Sequence, residues 1–285
     1  MRKHIKKPTA LYMAMLFAMV LLAAGLMVFA AEPSPARVAA RQQIPVLLYH
    51  HILPEEQNRL FRENDATVSL EAFTAQMQFL YDNNFHTLTL DELEAFLFEG
   101  VPVPPNSVMI QFDDGYYSNF VYAYPVLQHF GFTAQLFFIT HLIEDQGDIQ
   151  QPMDHDCLTW TAAKSIVGTE DVFETASHSH NLHRIAPDGE HTLLYLADYW
   201  AVVRDTILSF DFVNHHSAYA YPRGQYNDVV RAGLKRAGIT MAFTIQEGYI
   251  TADSDPMSLE RFIIFRETSE ERFHDIVMGR RVWFR

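Results

Sequence analysis

Short apolar runs alternating with helical stretches constrain this chain more than any other feature of its sequence. Pro45–Tyr49, His86–Leu88, Val108–Phe112, Ala134–Ile139, Val172–Ala176, Ala218–Tyr221, Met241–Ile245 and Phe262–Phe265 read as strands. Short, mostly apolar and several of them bounded by turn residues, they have the form of buried strands. Between the first two, Leu70, Phe73, Met77 and Leu80 recur at helical spacing, with Ser69 placed to cap the helix over 69–83. Thr89-Leu90-Asp91-Glu92 opens a second helix, carrying Leu93, Phe96 and Leu97 and closed by Gly100. Strands alternating with helices imply a parallel sheet. Seven or eight such units in about 240 residues imply an α/β barrel more than an open doubly wound sheet.

Composition removes several function classes. Apolar residues make up 49% of the 285, enough for a sizeable core, so a disordered chain is excluded. Cys157 is the single cysteine, which excludes an intramolecular disulfide framework and a cluster of several thiolates. Thirty-five acidic against 21 basic residues give a net charge of -14 and argue against a nucleic-acid partner, because phosphate binding relies on Lys and Arg. The N-terminus reads as a targeting segment: Arg2, Lys3, Lys6 and Lys7 precede an uncharged apolar run from Leu11 to Ala31. That run approaches the length needed to span a bilayer, so residues 1–30 are expected to be a signal peptide, cleaved after Ala30, or a retained membrane anchor. Either way the rest is expected outside the cytoplasm: extracellular, periplasmic or held at the outer face of the membrane. Residues 31–43, with Pro33 and Pro35, read as a linker, and 44–285 as one domain.

Three constellations stand where strands end. In Gln111-Phe112-Asp113-Asp114-Gly115 two carboxylates leave an apolar strand, and adjacent strand residues point to opposite faces. Both acids can serve one site only if the backbone bends there, one then binding metal and the other remaining free as a base; the alternative is a plain Asp-Asp-Gly turn. Ser177-His178-Ser179-His180-Asn181-Leu182-His183 places three histidines within six residues after another strand. Imidazole is the commonest metal ligand. On an extended strand His178 pairs with His180; if the chain turns, it pairs with His183. In Tyr219-Ala220-Tyr221-Pro222-Arg223-Gly224-Gln225-Tyr226-Asn227, Pro and Gly bracket a strand-to-helix turn able to present backbone N–H groups to an oxyanion.

In this order and spacing, QFDDG, SHSHNLH and YPRGQYN resemble the first three motifs of the polysaccharide deacetylases, carbohydrate esterase family 4 with its NodB-homology domain. The resemblance runs from about Ile44 to about Ile264. PVLLYHHI and HTLTLDELEAF resemble the branch that includes the poly-N-acetylglucosamine deacetylases. It implies a single distorted (β/α) barrel, one divalent metal ion, zinc first, and removal of N-acetyl or O-acetyl groups from a glycan. Carried over by position, it makes Asp113 the catalytic base, Asp114, His178 and His183 the metal ligands, and the Arg223 backbone N–H the oxyanion donor.

Two positions depart from the family pattern. Ala220 stands where an Arg commonly orients the base, and Arg261 stands where a Leu-x-His motif commonly supplies the acid. The expected acid is therefore His50, and Arg261 is expected to supply the cation that Ala220 lacks, with Tyr221 contacting or orienting the substrate. Because of these departures, an exported glycan-binding module with a degenerate site remains the alternative reading.

Overall fold

The computed structural model describes residues 34–39, 41–59, 61–143 and 172–279. The expected signal or anchor segment and Cys157 lie outside the described residues. Among the described residues, no helix is long and apolar enough to cross a membrane.

Eleven strands are seen among the described residues: β1 (Ile44–Tyr49), β2 (His51–Leu53), β3 (Thr67–Ser69), β4 (His86–Thr87), β5 (Ser107–Phe112), β6 (Ala134–Phe138), β7 (Phe173–Ser177), β8 (Ala218–Ala220), β9 (Met241–Phe243), β10 (Tyr249–Ile250) and β11 (Phe262–Ile263). β1, β5, β6, β7, β8 and β9 lie side by side in that order and all run parallel. β11 pairs with the free side of β1, and just before it Leu259 bridges Phe243 of β9. The two ends of the path are thereby drawn toward each other, and the sheet curls into an incomplete barrel, as the strand–helix alternation predicts. β10 adds an antiparallel edge at the start of β1, and β2 and β3 form a small separate pair.

Strand alternation sorts the residues. On β5, Val108, Ile110 and Phe112 face outward and pack with Phe73, Met77 and Leu80 of the helix Leu70–Asp82. Full burial of each such side chain stabilises by about 1.5–3 kcal/mol. The opposite faces carry Met109 of β5 with Phe137, Ala176, Ala218, Ala220 and Phe243. Helix boundaries follow local chemistry: the Ser69 hydroxyl accepts the Ala72 N–H, and Thr89 and Glu92 form a reciprocal capping box. The second helix ends in one wide π turn, Ala95–Glu99, closed by Gly100 at φ 68.

The stretch expected as a linker is partly built into the fold. Pro35–Ala39 is a short helix whose Ala39 is buried, and the Gln42 amide bonds both the N–H and the carbonyl of Val103. The compact unit therefore begins at Pro35 rather than Ile44. Five residues, Pro35-Ala36-Arg37-Val38-Ala39, are too few to show a helical periodicity in the sequence.

Candidate active site

The site forms at the C-terminal ends of the parallel strands, and local backbone geometry brings its two carboxylates together. Asp113 follows β5 in phase with Met109 and Gln111, so it points to the inner side of the sheet. Asp114 would point away, but its backbone is left-handed at φ 73 and Gly115 follows at φ 79. This bend swings the second carboxylate back toward the histidines. Gly115 is required twice over, since a Cβ there would also lie 2.3 Å from Cδ1 of Phe138.

After β7 the chain turns in the same manner. His178 is 2% exposed, and its Nδ1 lies 2.8 Å from the Ala220 carbonyl of β8. A carbonyl only accepts, so the proton sits on Nδ1 and the lone pair of Nε2 faces the site. Ser179 adopts φ 74, and the reversal brings His183 beside His178, with ring centroids 4.8 Å apart. Oδ1 of Asp114 lies 3.5 Å from Nε2 of His178 and 3.3 Å from Nε2 of His183. One donor atom from each of the three falls within 4.8 Å of the others. Two imidazoles and one carboxylate, converging from one side, suit a divalent ion such as zinc and leave room for a further ligand. His180 does not join them: its Nδ1 lies 2.9 Å from the Thr140 hydroxyl and its ring stacks on Phe212.

Asp113 is held by a buried cation. Arg261, fully buried, donates from Nη1 to Oδ1 at 2.8 Å and from Nη2 to Oδ2 at 2.7 Å. Its Nε donates to the Thr244 carbonyl at 2.7 Å and Nη1 also reaches Oε1 of Gln111 at 3.3 Å. Burial alone would raise the Asp113 pKa, but Arg261 and then His178 hold it below the usual carboxylate range. Asp114 is likewise lowered: burial opposes ionisation and the hydrogen bond from His183, with His50 and His178 nearby, overcomes it. Burial pulls His178 down to about 4, against the opposing pull of Asp113, which keeps the ring neutral near pH 7.

The remaining expected residues separate into two groups. His50 follows β1, which pairs with β5 through Tyr49 and Phe112, so it stands one strand over from Asp113. It is partly buried, and its Nδ1 has no hydrogen-bond partner among the described residues. Its neighbour His51 is packed instead, stacked on Tyr116 and bonded to Ser118. Arg223 lies in the turn Pro222–Gly224 with a left-handed φ of 54 and an exposed side chain. Tyr221 departs from expectation. Its ring is buried against Tyr226 among Val202, Val230 and Leu234, and its hydroxyl donates to the Met257 carbonyl at 3.0 Å. It faces the helical layer because it follows β8 in phase with Tyr219, so it is a packing residue rather than one that orients substrate. Thr244, Gln111 and the Ala220 carbonyl were not foreseen, since backbone acceptors and buried amides leave no spacing signal.

Comparison with known proteins agrees with this geometry. Residues 100–242 match the family model described as polysaccharide deacetylase. The chain is 26% identical over 218 residues to poly-beta-1,6-N-acetyl-D-glucosamine N-deacetylase of Staphylococcus aureus, covering 74% of this chain and 71% of that protein. Among solved structures it is similar to the Streptococcus pyogenes deacetylase PplD in complex with acetate, at a TM-score of 0.67 and 25% identity, over 83% of this chain and 98% of the other. It also shares its fold with IcaB from Ammonifex degensii, at a TM-score of 0.66 and 20% identity, over 83% and 96% of the two chains. With its family motifs placed at the ends of β5, β7 and β8, the chain belongs to the polysaccharide deacetylase family.

Proposed function

We propose that this protein is an exported, metal-dependent N-deacetylase acting on a polymer containing N-acetylglucosamine. One observation carries the reading: Asp114, His178 and His183 converge on one point while Asp113, beside them, is kept ionised by Arg261. A divalent ion there, zinc first, would polarise the acetyl carbonyl and the attacking water. Asp113 accepts the proton of that water, the Arg223 N–H donates to the oxygen on which charge develops, and His50 donates a proton to the departing amine. The position of Arg261 answers the departure at Ala220, because the orienting cation reaches the base from the segment before β11. That answers one of the two departures; the other, the missing Leu-x-His acid, is met by His50 in this reading.

The substrate class is supported by the name of the staphylococcal relative and by the acidic balance of the chain, which suits a product that gains amines. Export is supported by the basic N-terminus and the uncharged run that follows it. The test is acetate release from poly-N-acetylglucosamine, chitin oligomers, peptidoglycan and acetylxylan, with and without a chelator. Release from an N-acetylglucosamine polymer that stops on chelation and returns with zinc is expected. Release from acetylxylan alone, or release indifferent to chelator, would overturn the proposal.

A further inference from the structure

His178 and His183 meet at Asp114 only because the chain reverses between them, and that reversal is held from two sides. Its first residue, Ser179, sits at φ 74, a conformation costing about 1–2 kcal/mol for a residue with a side chain. Strain of this kind persists only where the surroundings over-determine it. On one side the 3-10 turn Thr140–Leu142 that follows β6 supplies backbone bonds, Thr140 N–H to Ser179 carbonyl and His141 N–H to His180 carbonyl, each 3.1 Å. On the other side stands Asp205, in the middle of the helix Tyr199–Ser209.

Asp205 is 7% exposed, and no Lys or Arg pairs with it among the described residues. Its Oδ2 accepts the His180 N–H and its Oδ1 the Asn181 N–H, both at 2.8 Å. A buried carboxylate without a cation is costly unless its acceptors are used well, and here both oxygens serve the same turn. We propose that Asp205 is a positioning residue for the divalent-metal site: it fixes the turn in the one conformation that aims both histidine Nε2 atoms at Asp114. The inference rests on the metal site proposed above and adds a residue that touches neither metal nor substrate.

The test compares the full chain with Asp205→Asn, Asp205→Glu and Glu174→Gln. An asparagine keeps one acceptor oxygen and turns an NH₂ toward an N–H donor, so it cannot hold both amides. Glu174 is the control, a carboxylate that accepts the Leu90 N–H and the Gln135 amide near the start of β7, away from the site. Zinc affinity is measured by competition with a chromogenic chelator, the visible spectrum of bound Co²⁺ reports coordination geometry, and metal-free thermal unfolding reports stability. Asp205→Asn is expected to weaken zinc binding about 10–100-fold and to alter the Co²⁺ spectrum. Asp205→Glu should fall between it and wild type, and Glu174→Gln should unfold at a lower temperature while binding zinc normally.

Wild-type zinc affinity in Asp205→Asn overturns the proposal, as does an equal loss in Glu174→Gln, which would make the effect one of general destabilisation. If Asp205→Asn does not fold, wild-type affinity in Asp205→Glu overturns it instead. A wild-type chain that binds no zinc sinks the metal site itself, and the positioning role with it.

Discussion

Arg261 and Asp113, 148 residues apart in the chain, meet in two parallel hydrogen bonds inside the barrel. Both side chains are buried, so the pair stands in place of water for each of them. Removing one partner strands the other as an unpaired buried charge, at a cost of about 3–5 kcal/mol. Arg261→Met is therefore expected to lower unfolding stability in urea by about that amount. Asp113→Asn added to it should recover much of the loss, because the stranded charge is gone. A double variant no more stable than Arg261→Met would show that the ion pair is not what the arginine supplies.

Asp113→Asn alone separates the base from the metal site. The amide keeps the shape beside Arg261 and leaves Asp114, His178 and His183 in place, but it takes no proton from water. Metal content is expected to be unchanged while acetate release falls by about 100 to 10,000-fold. Turnover near that of wild type would place the base elsewhere and leave Asp113 as a structural partner of Arg261.

The three clustered histidines give a contrast within a single turn. His178→Ala and His183→Ala each remove one of the converging donors and are expected to abolish stoichiometric zinc. His180→Ala removes a ring that bonds Thr140 and stacks on Phe212, so zinc should stay while stability drops. Metal analysis of the three purified variants decides the matter. Zinc lost from His180→Ala and kept in His183→Ala would restore the extended-strand pairing.

The barrel and the motif-bearing strand ends were legible because they rest on short-range signals: apolar runs, caps at Ser69 and Thr89, and carboxylates or histidines next to a turn residue. Strand ends were legible only to within a few residues. The run through Ile245 pairs as a strand only to Phe243, and Tyr221, read as strand, begins the turn at Pro222. Which histidine joins His178 was undecided by spacing, since the answer lies in the left-handed backbone of Ser179, a residue with no turn preference as strong as glycine's. The burial of Tyr221 against Tyr226 is not legible in the motif, because a motif position says nothing about which face a side chain takes. Asp205 was invisible for a different reason: its partners are backbone amides of a turn 24 and 25 residues earlier, and backbone amides have no sequence signature.

A pH dependence of stability is expected near the start of β7, where Nε2 of His215 lies 3.1 Å from Oε1 of Glu174. The hydrogen bond to Glu174 raises the His215 pKa, burial opposes it, and Asp91 and Glu94 add to the rise. A folded-state pKa above the unfolded value near 6.5 means that the stabilisation is fully present below about pH 6.5 and is lost as pH rises through the folded value. Urea unfolding of wild type and His215→Gln across pH 5.5 to 8.5 should show a gap that narrows on the alkaline side. A gap that widens with pH would reverse the sign and refute the pairing.

His50 is the group through which the proposed mechanism can be tested most sharply, because its role depends on the leaving group. It stands beside Asp113 at the end of β1 with a buried Nδ1 that no described residue bonds. An amine must be protonated to depart, whereas the alkoxide or phenoxide of an activated ester leaves without help. His50→Ala is therefore expected to depress deacetylation of an N-acetylated glycan by about 100-fold or more, and to leave hydrolysis of an activated acetate ester by the same preparation nearly intact. Misfolding lowers both rates together, so the ratio of the two isolates proton donation from structural damage. Equal losses on both substrates, with zinc retained, would make His50 a structural neighbour of the carboxylates and require another donor at the mouth of the barrel.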